Sequence, residues 1–492
     1  MQKISDMEEI IQTISGWVWS PALVAICLLA GLYFSIGTRF VQVRRFGEMA
    51  RLLFSTDKSQ KTGITSFQAF SMALSGRVGT GNIVGVATAI GYGGPGSIVW
   101  MWIIAFLGAG SAFSEATLAQ IYKEEHKGQF RGGPAYYIEK GLKCKWLAIF
   151  FAAISVLACG WFLPPVQSNG IAISFANTFH ISSAWAGAIV AILIGLVVMG
   201  GVKRIANVAQ IVAPFMAILY IILSLVVLAF HIHDVPAVFM DMIHSAFGMN
   251  QALGGILGST IAWGVKRGIY SNEAGQGTGA IVAGAAKVSH PVKQGMVQAF
   301  SVYIDTLLVC TATAVMILAC KTYNVFDASG NILIAAEGAK LGAPDVSYTS
   351  AALGTLLGAH WGGVVVSFAL FFFAFTTIMA YYYYAETNLV YLFGKGKMEQ
   401  VLIWVLRLGT VAMVFVGSLY EAKMIWDMGD TGVGAMAWVN VIVILLLSPK
   451  AFKALRSYER QKKEGKDPVF DPDEIGVKGA EFWEKHNAKN EN

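Results

Sequence analysis

Runs of about twenty mainly apolar residues recur along almost the whole chain, and no other feature of the sequence limits its fold so sharply. A membrane-spanning helix needs about 20 such residues. Eleven stretches qualify: 19–38, 66–92, 97–121, 147–172, 183–200, 207–230, 249–286, 296–320, 361–391, 400–420 and 429–448. Composition agrees, with 55% hydrophobic and 13% charged residues and a mean hydropathy of +0.58. Soluble domains carry roughly 25% charge, so a soluble enzyme and a disordered chain are both excluded. The stretches are continuous rather than alternating, which argues against a membrane β-barrel. The expected class is an all-α integral membrane protein with about eleven transmembrane helices, and the lipid bilayer is its solvent.

The 36 Lys and Arg give a net charge of +6, which fits basic loops better than nucleic-acid contact. They cluster at 39–61, 123–145, 203–204, 266–293, 395–397 and beyond 449, whereas Lys3, Lys321, Lys340 and Lys423 fall in the alternate loops. Cytoplasmic loops concentrate positive charge. The expectation is a multi-pass protein of the cell (inner) membrane, N-terminus outside and C-terminus cytoplasmic. Residues 1–18 form an external segment without the basic start of a signal peptide, 19–448 the transmembrane domain, and 449–492 a cytoplasmic, partly disordered tail. Five cysteines without paired spacing indicate neither a disulfide framework nor a metal site. All eight histidines lie in loops or at span ends, which disfavours a histidine proton relay. No phosphate-cradling loop or large soluble domain supports ATP-driven chemistry, and no obligate protein partner is indicated.

Two spans are poor material for simple helices. The second reads Ser75-Gly76-Arg77-Val78-Gly79-Thr80-Gly81-Asn82-Ile83-Val84-Gly85. The seventh carries Gly254-Gly255, Gly258, Trp263-Gly264-Val265-Lys266-Arg267-Gly268 and Ser271-Asn272-Glu273-Ala274-Gly275-Gln276-Gly277. Glycine costs about 1 kcal/mol against alanine in a helix. Irregular backbone survives at membrane depth only where protein or a wet cavity satisfies it. Close helix packing explains Gly85, Gly108 and Gly110. It does not explain polar Thr80 and Asn82. The breaks head two groups of five spans, 66–230 and 249–448, and an odd number makes the repeats inverted. Paired interrupted segments point to a transporter binding site.

Ionisable groups within spans are functional candidates by default. Asp305 either supports a cation site together with Asn82 or neutralises Arg77, and Arg77 has a further reading as a guide for a substrate carboxylate. Gln167 and Asn169, after Pro164-Pro165, are pocket candidates, with interhelical hydrogen bonding as the plainer reading. Trp263 beside Gly264 suggests a wall favouring small substrates. Glu115, Glu386 and Arg407 read as paired or snorkelling groups. Glu273 with Lys266 and Arg267 reads as an inner gate or loop-ordering pair, and Tyr381–Tyr384 as packing.

The run Gly79-Thr80-Gly81-Asn82-Ile83-Val84-Gly85-Val86-Ala87, then Gly93-Gly94-Pro95-Gly96 and Trp100-Met101-Trp102, resembles the alanine or glycine:cation symporter family. So do Ser271–Gly277 and Ile304-Asp305-Thr306-Leu307, and together these motifs cover most of 66–390. One departure is Gly277-Thr278-Gly279-Ala280, where a more Ser-Ala-Pro-like sequence is expected. The resemblance implies a LeuT-type fold: one N-terminal helix and a 5+5 inverted-repeat core with two broken helices. It also implies sodium-driven uptake of alanine or glycine, no enzymatic activity, and no cofactor beyond Na+ as the coupling ion. Carried over by position, one Na+ is clamped by the Thr376 and Thr377 hydroxyls and the carbonyls of Phe373, Val78 and Ser75, with Gly76 as a close alternative to Ser75. A substrate carboxylate is expected on the N–H groups of Gly79-Thr80-Gly81, and its ammonium on carbonyls near Trp263 and Gly264. The alternatives are the same fold with another ion or a larger amino acid such as glutamine, a channel, and a membrane-embedded enzyme.

Overall fold

The structure, a computed structural model, describes residues 2–55, 62–249, 256–335, 337, 341–394 and 396–490. Gly254 and Gly255 of the expected second break, and Lys58, Lys61, Lys340 and Lys395 of the charge pattern, lie outside them. Helices dominate. First come α1 (Gln2–Val18), α2 (Pro21–Gly37), α3 (Val41–Arg44) and α4 (Phe46–Leu52). The first broken span is α5 (Ser66–Arg77), a π-helical turn (Gly81–Gly85) and α6 (Val86–Gly93). There follow α7 (Ser97–Ile121), a hairpin of β1 (Glu124–His126) and β2 (Gln129–Arg131), and α8 (Pro134–Leu142). Next are α9 (Lys145–Leu157), α10 (Leu163–Phe179), α11 (Ser183–Val198), α12 (Gly201–Phe230) and α13 (Val235–Ala246).

The second broken span is α14 (Leu257–Asn272) and α15 (Thr278–Ala285). After it come α16 (Pro291–Val302), a π-helical stretch (Tyr303–Cys310) and α17 (Thr311–Ala319). A second hairpin, β3 (Val325–Phe326) with β4 (Ile332–Ile334), precedes α18 (Val346–Leu357), α19 (Ala359–Phe393), α20 (Glu399–Gly417), α21 (Ala422–Lys463) and α22 (Glu481–Asn490).

Among the described residues, eight helical segments are long and apolar enough to cross a membrane. The other three expected spans are the two broken ones and the 16-residue α11. Lipid-facing and protein-facing residues separate cleanly on α12. Ile211, Phe215, Ile218, Ile222 and Leu225 are exposed, while Ala209, Ala213, Ala217 and Tyr220 are buried, the small residues permitting close helix approach. Helix α7 packs against α14, α15 and α16, and α10 packs against α19 and α20. The broken spans lie where these two groups meet.

Two expectations need correction. The boundary near Pro449 falls inside α21, which runs on to Lys463. Residues beyond it are not a loose tail: Phe470, Val477, Ala480 and Trp483 are buried against the helical body. The segment 1–18 is also structured, as a helix against α21, where Trp438 donates to the Val18 carbonyl (2.9 Å).

Candidate cation and substrate site

The first break begins where α5 stops. A capping box of Thr65 and Gln68 starts that helix, and Val78 ends it in an extended conformation (φ −83°, ψ 93°). Thr80 turns the chain back into helical space. The carbonyls of Ser75 and Val78 are thereby freed from helical pairing and approached from α19. The Thr377 hydroxyl lies 2.7 Å from the Ser75 oxygen, 3.2 Å from the Val78 oxygen and 2.9 Å from the Phe373 oxygen. One hydroxyl has a single hydrogen to donate, so three carbonyls around it leave an excess of oxygen lone pairs. Four neutral oxygens converging in this way suit a hard monovalent cation. Thr376 differs from its expected role: its hydroxyl bonds back to Phe372 O (3.1 Å) and Phe373 O (3.0 Å) of its own helix, a common use of threonine in a helix.

Glycine at 79 is required by this approach. A Cβ there would stand 2.5 Å from Thr377 Oγ1 and 2.7 Å from Gln167 Oε1. The Gln167 amide oxygen accepts the Thr80 N–H (3.0 Å), and Asn82 Oδ1 accepts the Gly79 N–H (2.8 Å). Gln167 therefore sits at the start of the half-helix, where its N–H groups favour a negative oxygen. Asn169 lies one face over. Its amide nitrogen donates to Gly417 O (2.9 Å) and Tyr420 O (3.0 Å), and its Oδ1, like Thr80 Oγ1, is buried and has no hydrogen-bond partner among the described residues.

Asp305 joins the two breaks. Its carboxylate accepts from Asn82 Nδ2 (2.6 Å), from Ser271 Oγ (3.0 and 2.9 Å) and from Thr306 Oγ1 (2.7 Å). Asn82 and Asp305 both occupy π-helical turns, local irregularities that recur at functional sites. Arg77 is not bonded to Asp305. It donates to the Gln298 carbonyl (3.2 Å), Gln298 Oε1 (3.3 Å) and Ser301 Oγ.

The second break falls at the later of the two expected stretches, not near Trp263 and Gly264. Helix α14 continues through Trp263 and Gly264 to Asn272, and the chain turns at Glu273, Gly275 and Gly277, with φ of 56°, 82° and 93°. Two glycines carry most of this left-handed backbone because they lack a Cβ. Trp263 and Gly264 therefore supply no free carbonyls. Gly264 lets α14 pack on α7, where a Cβ would meet Trp100 Cβ at 2.5 Å. Trp263 lines a cavity beside Tyr92, their ring centroids 5.0 Å apart and the rings tilted by 31°. The part of α14 beside the first break is Tyr270-Ser271: a Cβ on Gly81 would stand 3.3 Å from the Tyr270 ring and 3.6 Å from Ser271 Cα.

A cavity of about 1040 Å³ opens from the face carrying the β3–β4 hairpin, and Val84, Asn169, Gly170 and Trp426 are among its lining residues. Arg267 and Asp430 form a bidentate pair on its wall (3.0 and 2.8 Å), with Lys266 2.7 Å from the same carboxylate. Lys266 and Arg267 thus do not order Glu273. They also belong to the vestibule half, not to the basic opposite face. Glu273 is held instead by Tyr384 (3.3 Å). Glu115 accepts the Gly277 N–H (3.1 Å) and Asn440 (2.8 Å). Glu386 pairs with Arg131 (2.8 Å) and receives the Tyr382 hydroxyl (2.5 Å), to which Arg407 donates (3.0 Å). Sequence reasoning missed Asp430, which carried a usable signal, a carboxylate at the start of an apolar span; it quoted Ser271 within the second break's motif but gave it no role beside Asp305.

Comparison with known proteins places this architecture. The sodium:alanine symporter family model matches residues 4–472. The chain is 53% identical over 480 residues to a putative sodium/proton-dependent alanine carrier protein of Bacillus subtilis (strain 168), covering 97% of this chain and 98% of that protein. It is 47% identical to the sodium/proton-dependent alanine carrier protein of Bacillus sp. (strain PS3), covering 88% and 96%. It is 41% identical to a probable sodium/glutamine symporter of Bacillus subtilis (strain 168), covering 99% and 98%. A manganese transporter of Eremococcus coleocola, solved as a point mutant, shares the fold with a TM-score of 0.50 and 12% identity, covering 82% of this chain and 92% of that one. The chain is a multi-pass membrane transporter with a LeuT-type fold, and it belongs to the sodium:alanine symporter family.

Proposed function

We propose that this amino acid–cation symporter takes up small neutral amino acids, alanine and glycine, with Na+ by alternating access. It works in the cytoplasmic membrane with its vestibule face outside and its basic face inside. The observation that carries the reading is the convergence of the Ser75, Val78 and Phe373 carbonyls on Thr377, a neutral oxygen cluster suited to an ion that must also be released. Asp305, which joins Asn82 to Ser271, is a second place where a cation would tie the two broken spans together. The substrate carboxylate would meet the half-helix start at Gly79–Asn82, displacing the Gln167 amide oxygen from the Thr80 N–H. Its ammonium would meet carbonyls at the end of α14 near Ser271, in place of the expected Trp263–Gly264. Tyr270 against Gly81 leaves little room for a side chain, which favours alanine and glycine. The glutamine symporter among the relatives keeps a larger substrate as the second reading, and competition by glutamine separates the two. The binding step is tested by Gly81→Val, which would push methyls into the Tyr270 ring. Alanine binding to the purified variant is expected to be lost while its melting temperature stays near wild type; unchanged binding would refute the placement.

A further inference from the structure

The vestibule face is open, whereas the opposite face is sealed at the inner ends of the broken spans. There the chain entering α5 pairs with the chain leaving α15. The Ile64 N–H donates to Ala285 O (3.0 Å) and the Lys287 N–H to Ile64 O (2.9 Å). A helix end leaves its last carbonyls without intrahelical partners, and Gln120 of α7 and Lys123 just beyond it supply donors. Gln120 donates to Ala283 O and, at 2.8 Å, to Ala286 O, and Lys123 donates to Ala286 O (3.2 Å). Behind this clamp lies the C-terminal segment. The Trp483 indole N–H donates to the Gln120 carbonyl (2.8 Å), and Trp483 is only 1% exposed. The Lys123 ammonium sits over the rings of Phe130, Phe482 and Trp483 at 4.3, 4.5 and 4.9 Å. Such cation–π contacts strengthen when desolvated.

The same segment is tied down on both sides. The Phe470 N–H donates to Ser289 O (2.9 Å), and Lys293 pairs with Asp467 (2.7 Å) just inside α16. On α21, Lys453 donates to Ile475 O (3.3 Å) and Arg460 pairs with Glu474 (2.9 Å). Phe130 packs at the α5 entrance, where a Cβ on Gly63 would stand 2.6 Å from its ring. One short stretch of chain therefore braces α7, the β1–β2 hairpin and α16 against α21 at the level where the inner ends of the broken spans must part.

We propose that residues 467–487 are a latch on the sealed face, with Trp483 as a positioning residue. Acting through Gln120, it holds α15 against the entrance of α5 and so favours the vestibule-open state. The latch rests on the alternating-access reading above. Removing the Trp483 contact lets the sealed face open more often, so fewer molecules present the vestibule and more Na+ is needed to drive uptake, with the maximal rate kept or raised.

The test places a cysteine at Ala206, which lines a small cleft on the sealed face beside Ile64, Phe130 and Ala285, in a Cys144→Ser background. Full-length protein in proteoliposomes is labelled from that face with a membrane-impermeant maleimide, with and without Na+. In otherwise wild-type protein, Na+ is expected to slow labelling. Trp483→Ala loses the ring contacts as well as the N–H, so it is expected to speed labelling by more than the about fivefold that losing one net hydrogen bond gives, and to raise the half-saturating Na+. Trp483→Phe keeps the rings but lacks the N–H, and is expected to fall between. If Trp483→Ala does not fold, Trp483→Phe alone must label faster than wild type. Labelling equal to wild type in the folded variants overturns the latch. Labelling that ignores Na+ in wild type overturns alternating access, and the latch with it.

Discussion

Thr377→Ala removes a side-chain oxygen of α19 that reaches the carbonyls of the first broken span. The wild-type hydroxyl lies 2.7–3.2 Å from three carbonyls. An interaction between a polar group and a charge contributes about 1.5–3 kcal/mol, which corresponds to roughly a 10- to 150-fold rise in the Na+ needed for half-maximal uptake. Thr377→Ser keeps the oxygen and is expected to stay near wild type. Thr376→Ala is expected to fall well short of Thr377→Ala, because the Thr376 hydroxyl is already bonded to its own helix. The assay is initial uptake of labelled alanine against Na+ at saturating alanine, paired with the melting temperature of the solubilised protein with and without Na+. A hydroxyl that only fastens two helices would lower the melting temperature equally in both conditions. A sodium ligand would abolish the extra stability that Na+ confers, since a ligand stabilises only the state it binds. An unchanged Na+ titration in Thr377→Ala would refute the assignment.

Asp305→Asn is expected to weaken Na+ activation at least about tenfold, because the carboxylate holds donors from both breaks. Adding Arg77→Gln should not restore it, since Arg77 bonds Gln298 and Ser301 instead; recovery in the double variant, read by Na+-dependent uptake, would return Asp305 to a structural role. Asp430→Asn leaves Arg267 and Lys266 without their shared buried carboxylate. Breaking a buried pair costs about 3–5 kcal/mol, so a clear drop in melting temperature is expected, and no drop would show that the vestibule wall is wet enough to solvate both cations.

The membrane architecture was legible because it rests on the most repetitive signal in the chain. Apolar runs of spanning length gave the helices, and polar glycine runs gave the first break to within a residue or two. The second break falls in the later of the two stretches the sequence offered, and the substrate ammonium was set at the earlier one because glycine alone does not unwind a helix. Gly264 and Gly268 are glycines for close packing against α7, while the real turn uses Gly275 and Gly277 with positive φ. Position in the sequence pointed to a threonine pair facing the first break, but which of the two adjacent threonines reaches across depends on helix rotation. Arg267 and Asp430 lie 163 residues apart, and nothing in a single sequence joins them. The tail was read as loose because charge dominates it; three aromatics, Phe470, Phe482 and Trp483, pack it down.

Coupling itself is tested most directly by uptake of labelled alanine into proteoliposomes of the purified protein under an inward Na+ gradient, against K+ as the control. Symport requires uptake that rises transiently above equilibrium only with the Na+ gradient, saturates with alanine and is competed by glycine. Equal uptake in Na+ and K+, or flux that never saturates, would contradict it.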